Sequence, residues 1–301
     1  MIHLLKQLLT TQQLTKTLLF CFAVITISAC SYSPKMLKDS YNNLGKEYAK
    51  ELKQLSDITP EQSAGLDTFA DDLMIWHRKN RLPVYANLVK KLSLKIESPQ
   101  GPSKADFYTL MKLIKAYPNF YESHSANLKM ATLATTLSDK QFAQISERIN
   151  EETRDFTEHF QQITWEKRKR NGVKSLSNIL SYLNVNLTNT QLDIARKHSN
   201  YYRDLKNIYI ESNEKWNNTL IELLSKRHEQ GFVKKFTAHM QNDNLHKRLS
   251  QTAPVETKHN DQISANMYKE LFASLTKQQK VILASQLKSI NKTVTELIDY
   301  K

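Results

Sequence analysis

Apolar residues along this chain recur at intervals of three, four and seven, and four of the stretches showing that pattern begin alike. The openings are ITPEQ at 58–62, LSDKQ at 137–141, LTNTQ at 187–191 and LTKQQ at 275–279. Counting on from each glutamine, the bulky positions are Leu66, Phe69, Leu73 and Trp76; Ile145, Ile149 and Phe156; Ala195, Tyr202 and Leu205; and Leu283, Leu287, Ile290 and Val294. That is one helical face repeated four times. The spacing predicts helices near 35–55, 60–97 with a kink before Pro83, 104–134, 139–170, 173–184, 189–229, 231–248, 261–274 and 277–299. SPQGPS at 98–103, Asn171-Gly172 and TAPVETKHND at 252–261 read as the breaks between them.

The repeated opening has a physical reading. With Thr or Ser at the N-cap, the side-chain oxygen accepts from a free backbone N–H in the first turn, and a Gln three residues on reaches back to the cap's own N–H. The four boxes are Thr59/Gln62, Ser138/Gln141, Thr188/Gln191 and Thr276/Gln279. Leu137 with Phe142 and Leu187 with Leu192 add the apolar staple across the cap, and Pro60 suits a first helical position. The motif is a way of starting helices and implies no chemistry.

Glycine occurs five times and proline seven times in 301 residues, below ordinary usage of about 7% and 5%. A turn-rich β fold needs more residues that tolerate positive φ. The expected class is all-α: an elongated bundle of long antiparallel helices, several started by capping boxes.

The first thirty residues read as an export signal. Lys6 and Lys16 supply positive charge, no acid precedes Asp39, and Leu18 to Ile25 form an unbroken apolar run. The run is too short for a bilayer core, which takes roughly 20 helical residues, and fits a signal-peptide h-region. Ile27-Ser28-Ala29-Cys30 follows and resembles the lipobox of bacterial lipoproteins. That resemblance implies cleavage before Cys30, diacylglycerol and an N-acyl chain such as palmitate on Cys30, and no other cofactor. Ser31 after the cysteine implies sorting to the outer membrane, with the body facing the periplasm. The expected organisation is a signal at 1–29, a lipidated tether at 30–40 and a helical domain at 41–301, in one piece or in two halves meeting near 171–188. Cys21 leaves with the signal and Cys30 carries lipid, so no intramolecular disulfide is expected.

The formal net charge is +13, two units of it from Lys6 and Lys16. Behind an export signal the expected acidic partners are lipid head groups and anionic envelope polymers rather than nucleic acid. The densest basic run is WEKRKRNGVK at 165–174. It reads as a solvated helix C-terminus, with Lys167 to Arg170 opposing the negative dipole end and Gly172 stopping the helix.

Leu-Thr-x-x-Gln boxes on an exported, cysteine-poor helical chain resemble the Spy/CpxP group of periplasmic chaperones. WHRKNRLPVYANLVKKL at 76–92 is similar to a segment of a family of Gram-negative lipoproteins with no assigned activity. Members of that family also carry a lipobox, a stretch like Tyr41 to Leu44, several boxes and a later segment like WNNTLIELLSKR at 216–227. Trp76, His77, Arg78, Arg81 and Tyr85 form a candidate binding patch for an acidic or peptide partner. Alternatively, Trp76 and Tyr85 are core and Arg78 keeps only its head in water.

The chain has no HExxH, G-x-S-x-G, P-loop or glycine-rich nucleotide turn, and none of its nine histidines pair at i, i+4. No metal site is expected. Glu122-Ser123 and Glu211-Ser212 are the superficial candidates for a peptidoglycan-active enzyme, without the glycine-rich loop such an enzyme places next. The expectation is a non-enzymatic, outer-membrane-anchored periplasmic protein, chaperone-like or an adaptor for envelope proteins. The alternative is an assembly factor with one dedicated partner.

Overall fold

The computed structural model describes residues 34–116, 123–241 and 245–299. Every regular element among them is an α-helix. In chain order these are α1 (Pro34–Lys53), α2 (Pro60–Asn80), α3 (Leu82–Glu97), α4 (Lys104–Ala116), α5 (His124–Thr135), α6 (Asp139–Gln162) and α7 (Trp165–Tyr182). They continue as α8 (Asn189–Ser199), α9 (Lys206–Ser225), α10 (Phe232–Gln241), α11 (Leu245–Thr252), α12 (Pro254–Ser274) and α13 (Lys277–Ile298).

Two large apolar cores hold these helices together. The first gathers Leu66, Phe69 and Leu73 of α2 with Ile145 and Ile149 of α6, Trp216 and Leu220 of α9, and Phe236 and Met240 of α10. The second gathers Ile96 of α3, Phe107 of α4, Phe272 of α12, and Leu283, Leu287, Ile290 and Leu297 of α13. α1 and α2 run through both, with Tyr48 and Leu52 in the first core and Tyr41 and Met74 in the second. Each core therefore draws on segments from both sides of residues 171–188. Close approach of α1 to α2 depends on Gly45, where a Cβ would lie 2.9 Å from Met74.

Several expected boundaries shift. α1 begins at Pro34 and buries Leu37 and Tyr41, so the tether expected through residue 40 is helix from its fifth residue onward. The pattern over 60–97 is broken outright at Arg81, because Pro83 in the first turn of α3 has no N–H to continue the ladder. The long helices expected at 139–170 and 189–229 break at 163–164 and 200–205, and the helix expected to end at 248 has its described counterpart α11 running on to Thr252. The polar stretch 252–261 is no connection: α12 starts at Pro254 and buries Thr257 and Asp261, with the Thr257 hydroxyl 3.3 Å from the Leu249 carbonyl.

The basic run needs the clearest correction. Thr164 caps α7, accepting from the Lys167 N–H, so Lys167 to Arg170 lie at the start of a helix and not at the end of one. Gly172 sits inside α7, exposed, with nothing within 4 Å of where a Cβ would be. A side-chain cap about two turns upstream outweighs a single glycine, which costs about 1 kcal/mol in a helix. Gly172→Ala is accordingly expected to stabilise the fold by up to about 1 kcal/mol, raising the thermal midpoint by about 2 °C. A fall in the midpoint would count against this placement of α7.

Candidate functional site

All four boxes form as helix starts. In each, the cap hydroxyl accepts from the backbone N–H of the Gln, and the Gln Oε1 accepts from the cap N–H at 2.9 Å. The fold then does something the local motif does not require, which is to bring the boxes together in pairs.

Gln62 at the start of α2 faces Gln141 at the start of α6. Gln62 Nε2 donates to Gln141 Oε1 at 3.2 Å, and Gln141 Nε2 donates to Gln62 Oε1 at 2.7 Å. The second hydrogen of each amide goes to a carbonyl just before the partner's cap: Thr136 at 3.0 Å for Gln62 and Asp57 at 2.7 Å for Gln141. Gln191 of α8 and Gln279 of α13 repeat the arrangement at 2.9 and 3.0 Å, reaching the Ser274 and Asn186 carbonyls. In every case that carbonyl lies two residues ahead of the partner's cap. Each amide thus uses two donors and two acceptors, its full capacity. Glutamate could close the box but could not supply the second set of bonds, and this explains why the third position is Gln in all four copies.

The first clasp carries an additional lock. Arg227, just beyond α9, is buried and donates through Nε to the Leu137 carbonyl at 2.8 Å and through Nη1 to the Leu224 carbonyl at 3.3 Å. Its Nη2 meets Asp139, and its guanidinium lies 5.0 Å from the centre of the Phe142 ring. The end of α9 is thereby fixed to the start of α6. Arg227 lies in the WNNTLIELLSKR segment, so the sequence marked the stretch without revealing the role.

The residues of the WHR segment lie where the chain passes between the cores. Trp76 packs half-buried on the first core and Tyr85 half-buried on the second. His77 is buried, with Nδ1 2.8 Å from the Tyr41 hydroxyl and its ring 5.8 Å from that of Tyr85. Arg78 covers the Tyr41 ring and donates to Asn42 at 2.6 Å, while Arg81 stacks on Trp76 at 5.0 Å. Much of this patch therefore joins α1, α2 and α3, and Lys79 and Asn80 form its exposed rim.

Burial, reinforced by Arg81 and Arg78, pushes the His77 pKa down to about 3. Tyr41, itself held well above the usual phenol range by burial, keeps its proton and is hydrogen-bonded to the neutral ring. A folded pKa below the unfolded value of about 6.5 means full stability above that value and progressive loss as pH falls toward 3. Between pH 7 and pH 5, His77 alone is expected to remove about 2 kcal/mol of stability. His239, stacked on Trp216 at 4.7 Å and pushed down to about 4 chiefly by burial, acts in the same direction. Urea unfolding at the two pH values checks this: His77→Gln should shrink the difference by about 2 kcal/mol and leave the His239 share in place, and an unchanged difference would contradict the assignment.

Cys30, Ser31 and Glu122 lie outside the described residues. Ser123 caps α5, Glu211 is exposed on α9, and Ser212 accepts from Arg248 Nε at 3.2 Å. Among the described residues no group of three or more His, Cys, Asp or Glu side chains is placed to hold a metal ion. No described helix is long and apolar enough to cross a membrane.

These features define an all-α protein in which four helix starts are clasped in two pairs and Arg227 locks the end of α9 to the start of α6. Residues 54–249 match the model of a family of unknown function, DUF6279, and the chain belongs to that family. The match includes the WHR segment, three of the four boxes and Arg227. No curated protein and no solved structure matches the chain.

Proposed function

We propose that this is a lipid-anchored, non-enzymatic protein of the Gram-negative envelope, held on the periplasmic face of the outer membrane and acting there as an adaptor for another envelope component. The start of α1 at Pro34 carries this reading. Four residue steps separate Cys30 from Pro34, and a chain that short reaches at most about 14 Å. An acyl anchor at Cys30 would hold the helical body against its membrane rather than let it range across the periplasm. Two or more acyl chains make such anchoring stable.

The same observation favours an adaptor over a wandering chaperone. The boxes that suggest the chaperone group spend their amides on one another, which accounts for them without a client.

Two measurements test the proposal. Intact-mass analysis of membrane fractions should find a mature N-terminus at Cys30 carrying acyl chains; an unmodified soluble chain would refute the anchor. A photo-crosslinker at Lys79 should give one sharp adduct in cells. A smear of many envelope proteins would replace the adaptor with a chaperone.

A further inference from the structure

Lys167, Arg170 and Lys174 lie on one face of α7, at spacings i, i+3 and i+7, and all three are exposed. The two other cations of the run are used inside the fold: Arg168 is buried against Asp204 and the Trp165 ring, and Lys169 pairs with Glu166 at 2.6 Å and with Asn200 at 3.0 Å. Glu166, the one acid of the first turn, is thereby occupied. Among the described residues none of the three stripe cations forms an ion pair or hydrogen bond.

This arrangement works against the helix that carries it. Lys167 sits in the first turn, where the helix dipole is positive and favours acids. Like charges three and four residues apart repel along the same face. Glutamine or glutamate at these positions would give a more stable helix, so folding does not account for the three cations. An external anion does.

We infer that this stripe docks on a lipid surface bearing anionic phosphate head groups. The cations span about 10 Å along the helix axis. Exposed Tyr182 lies at the end of the same helix. Basic residues beside an amphipathic aromatic suit the head-group region of a bilayer. The choice of a lipid surface over a soluble polyanion rests on the membrane anchor proposed above.

The test uses the full chain and compares its partition onto vesicles of 30% phosphatidylglycerol in phosphatidylcholine with that onto phosphatidylcholine alone. An acyl anchor contributes equally to both, so the ratio reports the stripe, while loss of binding to neutral vesicles reports failure of the anchor reading. Changing Lys167, Arg170 and Lys174 together to Gln is expected to lower the ratio on the order of 100-fold. The thermal midpoint should hold or rise. A control with Lys90, Lys91 and Lys234 changed to Gln removes the same charge from α3 and α10 and should lower the ratio much less. The inference is overturned if the stripe variant keeps the ratio, if the control lowers it equally, or if the midpoint falls. It is also overturned if the stripe variant loses binding only to soluble polyphosphate.

Discussion

Gln62→Glu should lower the unfolding free energy by about 3 kcal/mol, although glutamate is an accepted residue in a capping box. Its carboxylate can still accept from the Thr59 N–H, so an isolated cap would barely register the change. In the clasp, the new oxygen replaces a nitrogen that donates to the Thr136 carbonyl and to Gln141 Oε1. The buried Gln141 Oε1 and the part-buried Thr136 carbonyl lose their donor and face a negative charge instead. Each such group costs about 1–3 kcal/mol, and Gln62 and Gln141 are both more than nine-tenths buried. Gln141→Glu and Gln191→Glu should behave alike, and Gln279→Glu more mildly because that side chain is half-buried. Burial raises the pKa of a new carboxyl, so in acid the charge is absent and its single O–H restores one of the two lost bonds, while the full penalty grows in as pH rises through the folded value. A double-mutant cycle with Met at 62 and 141 should return a coupling of about 1–2 kcal/mol. Urea unfolding reads all of these, and a Gln62→Glu cost within about 0.5 kcal/mol would reduce the boxes to ordinary caps.

Arg227→Lys is expected to cost about 2–3 kcal/mol, and Arg227→Ala more. The decisive bonds are the two to carbonyls. Asp139 is 99% exposed on its side of the ion pair, and a pair open to water contributes under about 1 kcal/mol. Asp139→Asn should therefore be nearly silent. The guanidinium reaches Leu137 and Leu224 from one rigid plane while lying over Phe142, and a lysine ammonium cannot meet both carbonyls from there. If Asp139→Asn proved as damaging as Arg227→Lys, the salt bridge and not the carbonyl lock would be the source of the stability.

The candidate site was partly legible beforehand. Thr59/Gln62 and its three counterparts could be read as helix starts because the bonds involved span three residues. The stripes after them could be read because a helix buries every third or fourth position, and Leu66, Phe69, Ile145, Leu287 and Ile290 are buried as that spacing requires. Tyr41 with His77 was not legible, since the two stand 36 residues apart and neither pattern marks the other. Thr257 and Asp261 misled in the opposite direction: polar letters suggested a connection where α12 buries them.

Local bonds are written in adjacent letters, and so the all-helical class, the four caps and three of the four helical stripes follow from the chain read in order; the stripe expected through Tyr202 and Leu205 runs past the end of α8 at Ser199. Which cap clasps which does not. The second donor of each glutamine finds its partner amide 79 or 88 residues away, and only packing around the two cores brings those amides within bonding distance. The basic run teaches the same lesson on a smaller scale. Its four cations are plain in the sequence, but whether they soothe a helix end or strain a helix start depended on Thr164 prevailing over Gly172. The cap prevails, and two of the four cations are taken up inside the fold, Arg168 against Asp204 and Lys169 against Glu166.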